Sequence, residues 1–343
     1  MTMTVTHHDA LDPSLAAVQA VLPAANHGFL RRARALPRDS KIDRQDFASK
    51  YLDGLGMPVI VSDAMDSWPA RGKWSFDYFR ERYADDQVVA NLPMFLEPDL
   101  GLEPIQARLR LADYIDYVRD PSQAPKATYL LGDLAALRRN RLPLYAPVYR
   151  VLHLHPELGA DVTGSTLYCI DDLFARLPRS MRCFLDRVGS PVHYLFFAPK
   201  QSVAFLHVDY WSTHAYLAQL AGRKLCVMFS PADSDKVYHG AVRNPLAVDA
   251  ERFPLFAQAV PYVTILEAGE TAVIPAGWWH FVVGLEPSLT YSYNFFTVHN
   301  MGAYFSNLFA TLAADMAAST GIDAAMLAAV AELRDAAQNE IEI

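Results

Sequence analysis

The sequence is poor in cysteine and in long apolar runs. Its three cysteines, Cys169, Cys183 and Cys226, are an odd number spread along 343 residues, which argues against a disulfide framework and for a reducing compartment. No stretch approaches the roughly 20 uncharged apolar residues that span a bilayer. The N-terminal residues also lack the basic start and apolar core of a signal peptide. We therefore expect a soluble, cytoplasmic protein without membrane contact.

The chain also lacks clustered charge of one sign. It carries 30 Lys and Arg against 38 Asp and Glu, a net charge of −8, without long like-charge runs. Nucleic-acid backbones bind basic surfaces, so this distribution argues against nucleic acid as the main partner. The one notable basic group is Arg31, Arg32 and Arg34, which we interpret as a solvated helix face.

Short β-prone runs dominate the chain from residue 191 to residue 300. These runs, such as HYLFFA and RKLCVMF, are separated by Gly, Pro and charged residues, and no helical pattern lies between them. This density of strands predicts an all-β barrel or sandwich. Helical spacing of apolar residues returns after residue 300, in two stripes: Phe305, Phe309 and Leu312, then Leu327, Val330 and Leu333.

These patterns predict three regions. Residues 1–45 form an N-terminal helical extension, residues 46–300 the barrel domain, and residues 301–343 a helical hairpin. The hairpin is too apolar on one face to remain solvated and too short to span a membrane, so it packs on the body or on a second subunit. We favour the second subunit, and hence a homodimer.

A pattern of two histidines and one aspartate indicates a metal site. His207 and Asp209 alternate with Val208 in FLHVDY, so a strand would project both to one face. Far downstream, His280 opens a strand in IPAGWWHFV. Two histidines and a carboxylate on a rigid scaffold are typical of non-haem Fe(II) oxygenases, with three metal positions left open. Either histidine alone is more simply a hydrogen-bonded core residue, and only the combination favours the metal.

A lysine in the predicted barrel strengthens this interpretation. Lys224 begins RKLCVMF, on a strand expected to run beside the ligand strand, where a buried ammonium group needs an anion. The carboxylate of a metal-chelating 2-oxo acid would supply that anion. The alternative is a solvated lysine in a turn. The pair His153 and His155 has no third partner nearby in the sequence, and we interpret it as structural.

Eight motifs follow one another in order from about Met57 to Phe296. They are GMPVIVSDAMDSWPA, WSFDYFRERYADDQVV, TYLLGD, FLHVDY, AQLAGRKLCVMFSPAD, AERFPLF, VIPAGWWHFV and YSYNFF. Together they resemble the cupin-like JmjC family of Fe(II)- and 2-oxoglutarate-dependent oxygenases, nearest to its asparaginyl hydroxylase branch. The resemblance implies a mainly β fold: a double-stranded β-helix core, also called a cupin or jelly roll, with N-terminal α/β elements and C-terminal helices that make a dimer.

The resemblance also implies roles for individual residues. The iron ligands would be His207, Asp209 and His280. Lys224 would bind the distal carboxylate of 2-oxoglutarate, and the hydroxyl of Tyr129 would donate to that same carboxylate. Asn294 would lie in the pocket near the co-substrate. Related oxygenases use an arginine past the second histidine instead, but residues 281–300 contain no Lys or Arg, which leaves Lys224 as the anchor.

The sequence departs from the family pattern at the co-substrate pocket. Ala204 stands where the family has a threonine that binds the co-substrate, so a hydroxyl is lost, and Ser202 and Thr213 are candidate replacements. His214 and Ala215 stand where the family has polar amides, so the wall of the substrate pocket differs. These changes leave the metal ligands intact but weaken any analogy of substrate.

The expected activity is hydroxylation of an unactivated C–H bond with Fe(II), 2-oxoglutarate and O₂, most simply on an amino-acid side chain of a protein or peptide. Three alternatives remain open. The same chemistry could act on a free or carrier-bound amino acid or a natural-product intermediate. The chain could be a metal-binding cupin of another class, such as an isomerase or lyase, which would not need Lys224. A barrel that only binds is the third.

Overall fold

The computed structural model describes residues 15–92, 102–140, 142–146, 148–165, 167–188 and 193–318. Its strands are β1 (Arg34–Ala35), β2 (Arg38–Asp39), β3 (Val59–Val61), β4 (Gln87–Leu92), β5 (Ile105–Arg110), β6 (Thr128–Leu131), β7 (His193–Ala198), β8 (Val203–His207), β9 (His214–Ala221), β10 (Lys224–Phe229), β11 (Tyr262–Leu266), β12 (Thr271–Ile274), β13 (Trp279–Gly284) and β14 (Ser288–Phe295). Its α-helices are α1 (Ala16–Val21), α2 (His27–Leu30), α3 (Arg44–Phe47), α4 (Ala70–Lys73), α5 (Phe76–Arg82), α6 (Leu111–Arg119), α7 (Leu134–Asn140), α8 (Val151–Leu154), α9 (Arg179–Val188) and α10 (Met301–Ala318).

The strands from β7 onward form two large sheets, to which β1, β2 and β3 are added at the edges. One has the order β1-β11-β10-β13-β8, and the other has the order β2-β3-β12-β9-β14-β7. Neighbours are antiparallel except for two short parallel pairs, β1 with β11 and β2 with β3. From β7 to β14 consecutive strands alternate between the two sheets, except that β10 and β11 are neighbours in one of them, and this order gives the jelly-roll core that the β-prone runs and the resemblance predict.

Side chains of the two large sheets meet in a shared apolar core. Residues of β10 and β13 pack here against residues of β9 and β12, and the cluster contains Leu217, Cys226, Met228, Ala272, Ile274 and Val282. The opposite faces of the same strands are also covered. Phe229 of β10, for example, packs with Leu15, Val18 and Leu22 from the N-terminal segment. Because both faces of the sheets are buried, their strands read as nearly continuous apolar runs.

The N-terminal segment differs from the expected helical extension. It contains the short helices α1 and α2, but strands β1 and β2 follow and extend the edges of the two large sheets. Each strand is two residues long, too short for alternation to be visible in the sequence. A third, smaller sheet of order β4-β5-β6 packs with α5 and α6 in the largest apolar cluster, which also covers β9 and β14.

Helix α10 follows the barrel directly. Phe305 and Phe309 of its predicted apolar stripe are buried, together with Leu308, against Phe296 and Leu185. The second predicted helix, with Leu327, Val330 and Leu333, lies outside the described residues. Within the described ranges, no helix has the length and apolar character needed to cross a bilayer.

The turn that joins β9 to β10 depends on one glycine. Gly222 has φ +69°, and a Cβ atom there would lie 2.2 Å from the carbonyl oxygen of Pro287. We expect Gly222→Ala to lower the free energy of unfolding by at least about 2 kcal/mol, because it adds left-handed strain and a backbone clash. Urea unfolding measures this, with Gly302→Ala in α10 as control because a Cβ there meets nothing within 4 Å. Equal stability of the two variants would contradict the expectation.

Candidate metal centre

Two neighbouring strands bring the predicted ligands together. β8 and β13 are antiparallel, and their register sets His280 opposite His207, with the two imidazole centroids 4.1 Å apart. Asp209 follows β8 by two residues and returns to the same side, where its Oδ1 lies 3.9 Å from Nε2 of His280. The potential ligand atoms of these three residues all lie within 4.8 Å of one another. Of the residues that the structure describes, only these three form such a group.

Both histidines have their metal-binding nitrogen free. Nδ1 of His207 donates to the carbonyl oxygen of Phe205 at 2.7 Å, and Nδ1 of His280 donates to that of Trp278 at 3.1 Å. A carbonyl oxygen only accepts, so the proton sits on Nδ1 and the Nε2 lone pair faces the group. Burial, followed by the neighbouring imidazole of His280, lowers the pKa of His207 to about 4, so that its imidazole is neutral at neutral pH. Two imidazole nitrogens and one carboxylate oxygen fit Fe(II), with positions left open for other ligands.

The three residues line a cavity of about 470 Å³ between the two large sheets. Most of the other lining side chains are apolar or aromatic, and they come from β7, β9, β12, β13 and the loop after β8. An apolar surrounding strengthens the interactions of the polar groups inside the cavity. With its volume of about 470 Å³, the cavity is large enough for a small-molecule ligand beside a metal ion.

Lys224 is the buried cation of this cavity. It is only 3% exposed and begins β10, which lies beside β13 and is therefore one strand away from β8. Burial lowers the pKa of its ammonium group to about 8. Its Nζ lies 5.5 Å from the ring centroid of Phe196, and no acidic side chain of the described ranges pairs with it. An unpaired ammonium in an apolar wall is costly, so this site favours an anionic ligand.

Two further predicted residues meet at the cavity wall. Asn294 of β14 donates from Nδ2 to Oγ1 of Thr213 at 3.0 Å, and both side chains line the cavity. Thr213 in turn donates to the carbonyl oxygen of Tyr210 at 2.9 Å. The pair therefore ties the loop after Asp209 to the opposite sheet.

Tyr129 is not brought to this cavity. It lies on β6, the edge strand of the small sheet, and its hydroxyl is buried with no partner among the described residues. Tyr145 and Tyr194 line the cavity instead, and the ring of Tyr145 packs 6.3 Å from that of Phe196. Tyr145 belongs to no regular strand and forms only an isolated bridge with Asn91, so periodicity offered no signal for it.

Most of the residues that depart from the family pattern line the cavity. Ala204 and Ser202 both line the cavity, so Ser202 brings a buried hydroxyl near the site of the missing threonine. Ala215 also lines the cavity. His214 points the other way: its Nδ1 accepts a hydrogen bond from the backbone N–H of Ala276 at 2.9 Å, and burial lowers its pKa to about 4.

The two tryptophans before His280 have different surroundings. Trp279 lines the cavity, whereas Trp278 is buried in the core between the sheets and donates to the carbonyl oxygen of Leu55 at 2.7 Å. His155 hydrogen-bonds to the carboxylate of Asp86 at 2.5 Å and is not part of any described metal-binding group.

The loop after Asp209 is strained. Trp211 and Ser212 have φ values of 54° and 53°, in the left-handed region that side chains other than glycine rarely adopt. Each such residue costs about 1–3 kcal/mol, and strain of this kind concentrates at functional sites. Trp211 lines the cavity, and its indole N–H is buried without a partner among the described residues.

Comparison with known proteins gives one family. The profile described as "Cupin-like domain" matches residues 45–301. The chain is 36% identical to JmjC domain-containing protein D of Dictyostelium discoideum, over 77% of this chain and 57% of the relative. It is 26% identical to the 2-oxoglutarate and iron-dependent oxygenase JMJD4 of Gallus gallus, over 74% and 59%. It is 26% identical to lysine-specific demethylase JMJ21 of Arabidopsis thaliana, over 77% and 26%. The chain thus spans between about a quarter and three fifths of these relatives' lengths.

The buried histidine behind the cavity wall makes stability depend on pH. His214 has a pKa of about 4 in the folded protein against 6.5 ordinarily, so the unfolded chain binds its proton first as the pH falls. Its contribution is fully present above pH 6.5 and is lost as the pH falls towards 4. We expect His214→Asn, which cannot titrate and keeps an acceptor for Ala276, to remove about 1.5 kcal/mol of the stability loss between pH 6.5 and pH 5.

Urea unfolding at both pH values measures this difference. The matched control is His153→Asn, because His153 is exposed on α8. An unchanged pH dependence in His214→Asn would show that the histidine is protonated in the folded protein too.

Proposed function

Because the chain belongs to the cupin-like domain family, we propose that it is an Fe(II)- and 2-oxoglutarate-dependent dioxygenase that hydroxylates an unactivated C–H bond. The observation that carries this proposal is the presence, in one cavity, of the His207–Asp209–His280 group and the buried Lys224, which has no acidic partner in the described part of the chain. A metal-binding cupin of another class would have no need of that cation. The Gallus gallus relative is named as a 2-oxoglutarate and iron-dependent oxygenase, which supports the same chemistry.

In this proposal each protein residue has a simple task. His207, Asp209 and His280 hold the metal from one side and leave its remaining positions open. Lys224 binds the distal carboxylate of 2-oxoglutarate by a charge-assisted hydrogen bond, and Ser202, Thr213 and Asn294 offer polar groups on the same wall. Fe(II), when bound, supplies the redox chemistry by which a C–H bond, O₂ and 2-oxoglutarate become a hydroxylated product, succinate and CO₂. The apolar walls keep water from this reaction.

We further propose that the substrate is an amino-acid side chain of a protein or peptide. Several relatives are named as lysine- or arginine-specific demethylases, and one as a bifunctional arginine demethylase and lysyl-hydroxylase. Oxidative removal of an N-methyl group also starts with hydroxylation of a C–H bond, so one chemistry covers both activities. The motifs resembling the asparaginyl hydroxylase branch favour hydroxylation over demethylation. A free or carrier-bound amino acid is the alternative substrate.

Binding of 2-oxoglutarate to the Co(II)-loaded protein tests the role of Lys224. We expect Lys224→Met to weaken this binding tenfold or more, because a hydrogen bond to a charged group contributes about 1.5–3 kcal/mol. Isothermal titration measures it, with Lys200→Met, an exposed lysine, as control. Co(II) binding itself should persist in Lys224→Met and be lost in His280→Ala.

Turnover separates the proposed function from its rivals. With Fe(II) and O₂, the wild-type protein should release succinate from 2-oxoglutarate, and a peptide panel should raise the rate when it contains the substrate. Metal binding without affinity for 2-oxoglutarate would favour a cupin of another class. Binding of neither would leave a barrel that only binds other ligands.

We also propose that the protein forms a homodimer and that it is located in the cytoplasm. The support is in the sequence, where Leu327, Val330 and Leu333 form an apolar stripe after α10. We expect light scattering after size exclusion to give twice the chain mass of 38.2 kDa, and Val330→Glu with Leu333→Glu to give the monomer. The control is a pair of charges at exposed positions of α10, Ser306→Glu with Ala310→Glu. A monomeric wild-type protein would contradict the expectation.

A further inference from the structure

Among the residues that the structure describes, none donates a hydrogen bond that would orient the carboxylate of Asp209. Both histidines of the metal group are fixed at Nδ1 by carbonyl oxygens, but no donor within the described ranges bonds Asp209. A ligand's orientation then depends on the backbone that carries it. For Asp209 that backbone is the end of β8 on one side and the Tyr210–Ser212 turn on the other.

The backbone conformation of this turn is strained and needs contacts from other residues to persist. Trp211 and Ser212 are consecutive left-handed residues, and neither is a glycine. A conformation of this kind persists only when surrounding contacts favour it. Those contacts must come from outside the turn, because within it only Thr213 bonds back to Tyr210, through its N–H at 3.2 Å and its hydroxyl at 2.9 Å.

Helix α10 and the residue before it provide the missing contacts. Asn300 donates from Nδ2 to the carbonyl oxygen of Ser212 at 2.7 Å, and Asn307 donates from Nδ2 to Oγ of Ser212, also at 2.7 Å. Oδ1 of Asn300 accepts from the N–H of Thr297 at 2.8 Å, so this side chain is held at both ends. The indole of Trp211 packs against the apolar cluster that contains Phe305.

We propose that α10 positions the metal ligand Asp209 by holding Ser212, and that Asn300 and Asn307 are the positioning residues. This inference rests on the proposed metal-binding function. It gives a role in metal binding to α10, which lies outside the cavity wall. Mutation of a group that orients a metal ligand commonly weakens metal binding about 10- to 100-fold. Because Asn307 is exposed, its side chain can be removed without opening the core.

Co(II) titration of the full chain tests the proposal through three variants. Asn307→Ala and Ser212→Ala each remove the same hydrogen bond, from its two ends. We expect each to raise the Kd for Co(II) about tenfold and to shift the visible absorption of the bound ion. The double variant should be no weaker than either single one, because one interaction is lost only once. Ser306→Ala, exposed on the same helix, is the matched control and should bind like the wild type.

Unfolding of the metal-free protein distinguishes positioning from a general loss of stability. The proposal expects the urea midpoint of Asn307→Ala to stay close to that of Ser306→Ala while its Co(II) affinity falls. Wild-type affinity and spectrum in Asn307→Ala would overturn the proposal, as would effects of the two single variants that multiply in the double. In either case the proposed function survives, because the wild type binds Co(II). A wild-type protein that binds no Co(II) would overturn both.

Discussion

The antiparallel pairing of β8 with β13 is the constraint on which the site depends. It sets His280 opposite His207, although 72 residues separate them in the chain. Side chains alternate along a strand, so a slip of one residue would turn one imidazole out of the cavity. The register changes just after this pair, where Val282 faces Ala204, and such an irregularity marks a bulge. The bulge lets the histidines face each other while the rest of both strands keeps its apolar side in the core.

The same alternation explains how a lysine comes to be buried. Lys224, Cys226 and Met228 lie on one face of β10, and the last two belong to the core between the sheets. Lys224 lies on the same face, at the start of β10, and its side chain lines the cavity that borders this core. An ammonium group in this apolar wall is stabilised little by its neighbours and much by an anionic ligand. The fold therefore favours a ligand that carries a negative charge. The left-handed glycine of the preceding turn fixes where the strand begins.

The jelly-roll class and the three side chains of the candidate metal centre could be predicted from the sequence. Short apolar runs without helices between them indicate a β core, and His207, Asp209 and His280 are the residue types that Fe(II) chemistry needs. The strands β1 and β2 could not be predicted, because two residues carry no periodicity. The motif around Tyr129 was assigned to the co-substrate, but the structure has Tyr145 at the cavity, at a position without any strand pattern.

By itself, then, the sequence determined which side chains were available and which face of each strand they occupy, since period-two alternation is a local property. Tertiary structure decided which of them meet. It put Tyr145 and not Tyr129 in the cavity wall, left Lys224 without an acidic neighbour among the described residues, and brought Asn300 and Asn307 onto the turn after Asp209. Contacts of this kind join residues tens to hundreds of positions apart. They follow from strand order and helix packing, which the local pattern of residues does not encode.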